Sequence, residues 1–372
     1  MKNKKNIIKL IIFIVFIVIL GILGTLYEKN ESVRGYVDKY VFRKEKYENN
    51  LPNILIETNN EENIYAYNGN IIILKNNRLK AYNQFGNEVF SLDIEISNPI
   101  FSSSNNYLAI GEKNGTKLYV INGKNIIWGD SLEGNILNLK INSSGYLMVS
   151  TTGTIYKNVI QVFNNKGKEL FRNFIQSSYI VDMDISPDSK LIAIAEANCS
   201  GIVVQSYIKI ISVDMASEGK QDAIVYNKEA KQGDLIVNIR FQNKDRLLAI
   251  FDNHIESIKD NNSNELDFSN EDVSFLDLNN KIVKILNKES HFIMQIISND
   301  LIDIKEYNIQ EPKALYVSDN VIALNLGTEI WFYNNSGWLI KKYYANQEVN
   351  KIFICNDLAG IVYNDKIELI SL

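Results

Sequence analysis

The sequence predicts an all-β chain that folds as a β-propeller and is preceded by one N-terminal transmembrane helix. Three observations support this prediction. An apolar segment lies near the N-terminus, short apolar segments alternate with Asn, Gly, Asp and Ser from Leu51 onward, and that pattern recurs about every 40 residues. Because 46% of the 372 residues are hydrophobic and only 22% are charged, the chain can bury a large core.

The N-terminal apolar segment has the length of a membrane span. No residue from Leu10 to Tyr27 is charged, and the 20 residues from Ile7 to Leu26 would form about 30 Å of helix. Lysines dominate before this segment, whereas acidic and basic residues are mixed after it. The positive-inside rule therefore predicts a cytoplasmic tail at 1–6, a transmembrane helix at 7–27 and an extracytoplasmic remainder in the cell membrane.

A cleaved signal peptide is the alternative for the same segment. It would have a shorter apolar region and a cleavage site with small residues, yet no Ala occurs before Ala66. We therefore expect an uncleaved anchor. Residues 28–50 then form a juxtamembrane amphipathic stalk, because Val33, Tyr36 and Val37 recur at helical spacing; a helix lying on the lipid surface is the alternative.

Residues 51–372 are predicted to form the propeller. The strand and turn at 79–86 recur at 160–167 and 330–337, and in each copy Asn and Gly can adopt a positive φ at low cost. Eight blades of about 40 residues fit this length, and seven also fit because the fourth and fifth sets diverge. The first strands of the eight sets are expected to begin near Ile64, Ile100, Leu137, Val181, Ile236, Val273, Lys313 and Lys351.

The eighth set contains only three strands before the chain ends. A strand over 53–58 is predicted to supply the fourth, because pairing the two ends of the propeller closes the ring and removes an exposed sheet edge. Two polar segments, 214–233 and 259–264, are interpreted as surface loops inserted into the fourth and fifth sets.

A turn in the fourth set carries a resemblance to a known family. The segment Ser186-Pro187-Asp188-Ser189-Lys190 resembles the Ser-Pro-Asp-Gly-Lys turn of bacterial WD-like propeller repeats, with Ser189 where those repeats usually have Gly. The chain resembles bacterial single-pass membrane proteins with a divergent WD-like or quinoprotein-like propeller ectodomain, many of them of unknown function. Such proteins commonly scaffold envelope proteins. The resemblance implies a non-catalytic recognition domain that binds an envelope protein or a cell-wall polymer.

Composition argues against several other functions. With 39 basic and 44 acidic side chains, the chain has no cationic excess for phosphate backbones, so nucleic acid is not an expected partner. Only two His and two Cys are present, which argues against His-rich or Cys-rich metal centres. His254 and His291 precede strands of neighbouring sets and are expected to pack at turns, because no GxSxG motif accompanies them.

Asp182, Asp184 and Asp188 are candidates for a calcium loop, since hard cations bind several carboxylate oxygens. The Gly and the final Glu of an EF-hand are absent, so Asp188 is expected to cap a turn, and Asp182 and Asp184 are expected to face the central channel. Cys199 and Cys355 fall at opposite faces and on opposite sides of the predicted ring. A disulfide between them is therefore not expected.

Three other functions are compatible with the sequence. They are a sensor of a small ligand or cell-wall polymer, an enzyme with its site in the central channel, and a structural spacer. Trp128 and Trp338 stand near turns and could stack on a sugar, but packing between blades is preferred. The sequence predicts no catalytic, cofactor-binding or metal-ligating residue and no cofactor. A channel site would need a polar cluster, and its candidate members are Asp182, Asp184, Asn238 and Arg240.

Overall fold

The computed structural model describes residues 54–57, 63–260 and 262–372. The predicted cytoplasmic tail, transmembrane helix and stalk, at 1–6, 7–27 and 28–50, lie outside the described residues. Within the described part of the chain, no helix combines the length and the hydropathy that a membrane crossing requires.

The described strands fall into eight four-stranded antiparallel sheets, called blades here. The first strand along the chain, β1 (Ile54–Glu57), belongs to the last blade. Blade 1 contains β2 (Ile64–Tyr67), β3 (Asn70–Lys75), β4 (Arg78–Tyr82) and β5 (Glu88–Asp93). Blade 2 contains β6 (Pro99–Ser104), β7 (Tyr107–Glu112), β8 (Lys117–Asn122) and β9 (Asn125–Ser131). Blade 3 contains β10 (Ile136–Ile141), β11 (Leu147–Thr152), β12 (Asn158–Phe163) and β13 (Glu169–Ile175).

The remaining blades follow the same order. Blade 4 contains β14 (Tyr179–Ile185), β15 (Leu191–Asn198), β16 (Gln205–Ser212), the short helix α1 (Val213–Ser217) and β17 (Ile224–Glu229). Blade 5 contains β18 (Ile236–Phe241), β19 (Arg246–Phe251), β20 (His254–Lys259) and β21 (Asn262–Asp267). Blade 6 contains β22 (Val273–Leu278), β23 (Ile282–Lys288), β24 (His291–Ile297) and β25 (Ile304–Ile309). Blade 7 contains β26 (Ala314–Val317), β27 (Val321–Asn325), β28 (Glu329–Asn334) and β29 (Leu339–Tyr344). Blade 8 contains β30 (Lys351–Cys355), β31 (Leu358–Val362), β32 (Lys366–Ser371) and β1.

The two ends of the propeller meet in blade 8. Strand β1 pairs antiparallel with β32, with Ile54 opposite Leu369 and Glu57 opposite Lys366. The structure thus has the eight-bladed, all-β propeller fold that the sequence predicts, and the alternative of seven blades is excluded. Closing the last blade with the first strand leaves the ring without an interruption between its ends.

Antiparallel order defines two faces of the ring. Loops that join the second strand to the third, and connections from one blade to the next, lie on one face, called the top face here. Loops that join the first strand to the second and the third to the fourth lie on the bottom face. The first strand of each blade is the inner strand, which lines the central channel, and the fourth is the outer strand.

The core lies between neighbouring blades. Met148 and Ile160 of blade 3, for example, pack in one buried cluster with Met183 and Ile194 of blade 4. All six residues of β12 are buried, as expected for a middle strand covered on both sides. Outer strands, by contrast, have one face in solvent and carry more polar residues.

The exposure of outer strands explains an incorrect prediction. The segments 214–233 and 259–264 are not simple inserted loops, because the first includes β17 and most of α1 and the second includes the start of β21. Five of the six side chains in β21 are exposed, so its sequence lacks the apolar alternation that marks a half-buried strand.

The recurring turns confirm the predicted positive φ for Gly but not for Asn, which acts instead as a hydrogen-bond acceptor. In the turn after β4, Asn83 Oδ1 accepts hydrogen bonds from the backbone N–H groups of Phe85 and Asn87, at 2.9 and 3.1 Å. Equivalent bonds form around Asn164 and Asn334. The Gly of each turn has the positive φ that favours glycine, at 71° for Gly86, 77° for Gly167 and 80° for Gly337.

Candidate functional site

Exposed apolar side chains are concentrated on the top face of three adjacent blades. Among the described residues, the large exposed apolar side chains near the bottom face are spread over blades 1, 2, 4, 6 and 7. Of the described residues near the top face, Tyr344 alone lies outside blades 3 to 5. The others form what we call the top apolar surface: Ile155, Phe174, Tyr179, Ile202, Val203, Leu235 and Val237.

Contacts hold together neighbouring segments within two parts of the top apolar surface, 155–179 and 202–237. The ring of Tyr156, next to Ile155, lies 4.8 Å from the ring of Phe174, and Lys157 Nζ lies 4.2 Å above the ring of Tyr179. Further along, the loop that carries Ile202 is held close to the connection that carries Leu235. The contact is made by Gln205 Nε2, which donates to Ala230 O at 2.7 Å, and by Ser206 Oγ, which donates to Asp234 O at 2.9 Å.

A groove continues the top apolar surface toward blade 6. Its volume is about 410 Å³, and Val237 of the top apolar surface forms one wall. Phe251, Phe268 and Val273 are among the other lining residues. This surface is not among the sites that the sequence predicts. The available signal was the apolar run Ile202-Val203-Val204 between Gly201 and Gln205, but sequence alone does not show which loop side chains face solvent.

A second cavity opens at the bottom end of the central channel and is polar. It has a volume of about 600 Å³ and takes lining residues from blades 1, 2, 5, 6, 7 and 8. Arg240, Asp277 and Asn279 lie in its wall. Asp277 Oδ2 accepts from the N–H of Val317 at 3.1 Å, and Asn279 Nδ2 donates to Val317 O at 3.1 Å. Asp277 and Asn279 in its wall therefore join blade 6 to blade 7.

Asp182 and Asp184 do not form part of a channel site. Asp182 Oδ2 accepts from the N–H of Ile239 at 3.0 Å, and Asp184 Oδ2 accepts from the N–H of Phe241 at 2.7 Å. Both carboxylates are buried, and both bind N–H groups at the free edge of the inner strand of blade 5. The prediction that they face the channel was wrong, because both carboxylates accept hydrogen bonds from the backbone N–H groups of an unpaired strand edge.

Similar bonds join other blades. Ser102 Oγ of blade 2 accepts a hydrogen bond from the N–H of Ile141 of blade 3 at 3.1 Å. Asp277 of blade 6 accepts one from the N–H of Val317 of blade 7. We call these contacts the inner-edge hydrogen bonds: Ser102 to Ile141, Asp182 to Ile239, Asp184 to Phe241 and Asp277 to Val317.

Burial raises the pKa of two of the carboxyl groups in the inner-edge hydrogen bonds. Desolvation raises the pKa of Asp184 above its ordinary value, although the charges of Lys140 and Arg240 act in the opposite direction. Desolvation also raises the pKa of Asp277, against its backbone hydrogen bonds and the charge of Arg240. The polar candidates named from the sequence do not converge, since Asn238 lines the groove beside blade 6 and Arg240 lines the bottom cavity.

The two histidines lie in different environments. His254 is buried at the start of β20 and stacks on Phe251, with ring centroids 4.2 Å apart. Its ring nitrogens contact Asn253 Oδ1 and, at 3.3 Å, Glu256 Oε1. Burial raises the pKa of Glu256, but hydrogen bonds from His254 and Lys228 outweigh burial and hold that pKa below its ordinary value. His291 is exposed, and its Nδ1 lies 3.2 Å from Ser290 Oγ.

The other candidates from the sequence take structural positions. Asp188 caps its turn, since Asp188 Oδ1 accepts from Ser186 Oγ at 2.8 Å and from the N–H of Lys190 at 3.2 Å. Cys199 and Cys355 are free thiols, in agreement with the expectation of no disulfide.

The two tryptophans differ in exposure. Trp128 is half-buried and packs on Phe163, with ring centroids 5.6 Å apart, whereas Trp338 is exposed in a bottom turn of blade 7. Trp128 therefore packs between blades 2 and 3, as the sequence predicts.

Comparisons with known proteins identify the fold and the family. The chain is similar to BamB from Moraxella catarrhalis, with a TM-score of 0.52 and 11% sequence identity over 86% of this chain and 100% of that chain. It is also similar to the Dos1 propeller, with a TM-score of 0.53 and 11% identity over 79% of this chain and 84% of that chain. At such identities the similarity shows the fold alone. No curated protein matches the chain in sequence. The model of DUF5711, a family of unknown function, matches residues 38–372, and the chain therefore belongs to that family.

Proposed function

We propose that the chain is a non-catalytic, membrane-anchored recognition protein whose propeller lies outside the cytoplasm and binds a protein partner through the top apolar surface. The apolar segment at 7–27 and the lysines before it support the anchor and its orientation. The resemblance to single-pass envelope propellers supports a scaffolding role.

The observation that carries this proposal is the concentration of exposed apolar side chains on blades 3 to 5. Isolated exposed apolar residues are ordinary, whereas a contiguous apolar patch marks an interaction surface. Seven such side chains on three adjacent blades, continued by a groove of about 410 Å³, form such a patch.

The chemistry of the patch favours a protein over a cell-wall polymer. Most of its members are aliphatic, including Ile155, Ile202 and Leu235. Aliphatic side chains bind by removal of apolar area from water and offer no hydrogen bonds to sugar hydroxyls. A partner that presents its own apolar side chains is therefore the best match.

The experiment is a crosslinking pull-down from membranes with the full-length chain, followed by titration of the purified partner. A form without residues 1–27 tests the anchor and should not sediment with membranes. The double variant Ile202→Glu with Val237→Glu should weaken binding at least about 100-fold, because burial of each aliphatic side chain contributes about 1.5–3 kcal/mol.

A matched control is Phe85→Glu, which adds the same charge at an exposed apolar position on the bottom face of blade 1. This variant should bind like the wild type. Equal binding by the top-face double variant would contradict the proposal. Binding of the wild type to protein-free phospholipid vesicles, lost in the double variant, would instead assign the surface to lipid.

The bottom cavity supports a second candidate function, the binding of a small acidic ligand. Arg240 lies in the cavity wall, and among the described residues its guanidinium forms no ion pair or side-chain hydrogen bond, although its charge acts on Asp277 of the same wall. A guanidinium is the side chain best suited to bind a carboxylate or phosphate. Titration with succinate and inorganic phosphate should show binding that Arg240→Gln abolishes; no binding of either probe would reject this candidate.

A further inference from the structure

We propose that blade 5 contains a divalent-metal site, of the class that takes Zn²⁺, formed by His254, Glu256 and Glu265. One nitrogen and two carboxylate oxygens from these residues lie within 4.8 Å of one another. Imidazole and carboxylate are both common ligands of Zn²⁺. The site is independent of the top apolar surface as a binding surface, although both lie toward the top face.

Strand geometry brings the three side chains together. His254 and Glu256 are two residues apart on β20, so they point to the same face of the sheet. Glu265 on β21 lies directly opposite Glu256 in the antiparallel register. Like charges directly opposite each other destabilise a sheet, and a cation between the two carboxylates would remove that repulsion.

A buried atom without a partner points independently to a ligand. Glu256 is only 2% exposed, and its Oε2 has no hydrogen-bond partner among the described residues. Buried carboxylate oxygens are normally hydrogen-bonded or bound to a cation. The free oxygen of Glu256 is therefore available for a metal ion.

The hydrogen bonds of His254 prepare its ring for metal binding. Asn253 Nδ2 donates to Asp234 Oδ1 at 2.9 Å, which turns Asn253 Oδ1 toward the ring of His254. Because that oxygen can only accept, Nδ1 of His254 carries the proton. Metal-binding histidines are commonly held in this way through the nitrogen that does not bind the metal.

The other ring nitrogen faces a carboxylate oxygen at a suitable distance. His254 Nε2 lies 3.3 Å from Glu256 Oε1. Two ligand atoms about 2.1 Å from a tetrahedral Zn²⁺ lie about 3.4 Å apart. In the metal-free chain a proton on Nε2 makes this contact a hydrogen bond. A metal ion that replaced this proton would bind Nε2 beside the free Oε2 of Glu256, and it would also bind Glu265.

Two lysines occupy the carboxylates in the structure. Lys228 Nζ lies 2.5 Å from Glu256 Oε1, and Lys231 Nζ lies 2.9 and 3.0 Å from the two oxygens of Glu265. The side chain of Lys231 is 70% exposed, so it can move into solvent when a metal ion binds. The lysines therefore compete with the metal ion, and removing one should strengthen metal binding.

The test is a calorimetric titration of the chelator-treated full-length chain with Zn²⁺, supported by the absorption spectrum of bound Co²⁺. The wild type should bind one equivalent. His254→Ala and Glu265→Gln should each weaken binding at least about 10-fold, whereas Lys231→Met should strengthen it about 10-fold. His291→Ala is the matched control, because it removes the only other histidine, also at the start of a third strand.

Two results would overturn the proposal. The first is an absence of Zn²⁺ binding in both the wild type and Lys231→Met. The second is Zn²⁺ binding that His254→Ala and Glu265→Gln leave unchanged. Glu265 lies on the exposed outer strand, so Glu265→Gln should not disturb the core. Circular dichroism of each variant verifies that a loss of binding does not reflect a loss of folding.

Discussion

The top apolar surface and the inner-edge hydrogen bonds differ in the side chains that they use and in the role that we assign to each. The first consists of apolar side chains in solvent, such as Ile202. The second consists of buried polar side chains, such as Asp184, whose partners are backbone N–H groups of another blade. In this propeller, the polar residues that the sequence suggests as site candidates stabilise the ring. Apolar loop residues that the sequence does not single out form the candidate binding surface.

Strand edges explain the difference. The inner strand of a blade has a neighbour on one side only, so its other edge presents unpaired N–H groups. Buried N–H groups need acceptors, and Asp182 and Asp184 supply them to blade 5. Loops on the top face meet no such requirement, so they are free to carry side chains for a partner.

The largest expected effect is the loss of stability when the inner-edge hydrogen bonds of blade 5 are removed. The double variant Asp182→Ala with Asp184→Ala leaves two interior N–H groups without acceptors, at about 1–3 kcal/mol each, so we expect about 2–6 kcal/mol of destabilisation in urea unfolding. The matched change on the top face is Ile202→Ala with Val203→Ala, which should cost no more than about 0.5 kcal/mol per residue. Equal losses in the two double variants would remove the distinction between the two regions.

The second expected effect is a dependence of stability on pH. Because burial raises the pKa of Asp184 in the folded chain, the folded state retains this proton to higher pH than the unfolded state. Its contribution is fully present below the ordinary pKa of an aspartate, about 3.9, and is lost as the pH rises through the folded pKa. Asp184→Asn keeps an acceptor for the N–H of Phe241 but cannot ionise.

The measurement is the free energy of unfolding from pH 3.5 to 8 in urea. The wild type should lose more stability than Asp184→Asn as the pH rises through that window. Ile202→Ala, which removes no titratable group, should follow the wild-type curve. Identical pH dependence in the wild type and Asp184→Asn would show that this carboxyl group titrates alike in the folded and unfolded chains.

Much of the fold could be predicted because its signals are local. The turn at Asn164–Gly167 needs only a side-chain acceptor and a positive φ, both of which are apparent within a few residues. The exposed outer strand β21 could not be predicted, because Asn262-Ser263-Asn264 resembles a loop. The partners of Asp182 and Asp184 could not be predicted either, because each lies 57 residues further along the chain. The top apolar surface depends on which loop side chains turn outward, which packing determines.

The smallest expected effect concerns Ser189, where the resembling repeats usually have Gly. Ser189 has a φ of 64°, which costs a residue with a Cβ about 1–2 kcal/mol. Its hydroxyl compensates in part, since Ser189 Oγ accepts a hydrogen bond of 2.8 Å from Asn142 Nδ2 of the preceding blade. A residue that is unfavourable for its own turn thus contributes a contact between blades 3 and 4.

Two substitutions separate these opposing contributions. Ser189→Gly relieves the backbone but loses the hydrogen bond, so its stability should stay within about 0.5–1 kcal/mol of the wild type. Ser189→Ala loses the bond and keeps the unfavourable φ, so it should be about 1 kcal/mol less stable than Ser189→Gly in urea unfolding. Equal stability of the two variants would mean that the φ of 64° carries no cost. Since Asn142 Nδ2 also donates to Ser186 O at 2.8 Å, neither variant leaves that amide without a partner, and the difference between them reports the backbone alone.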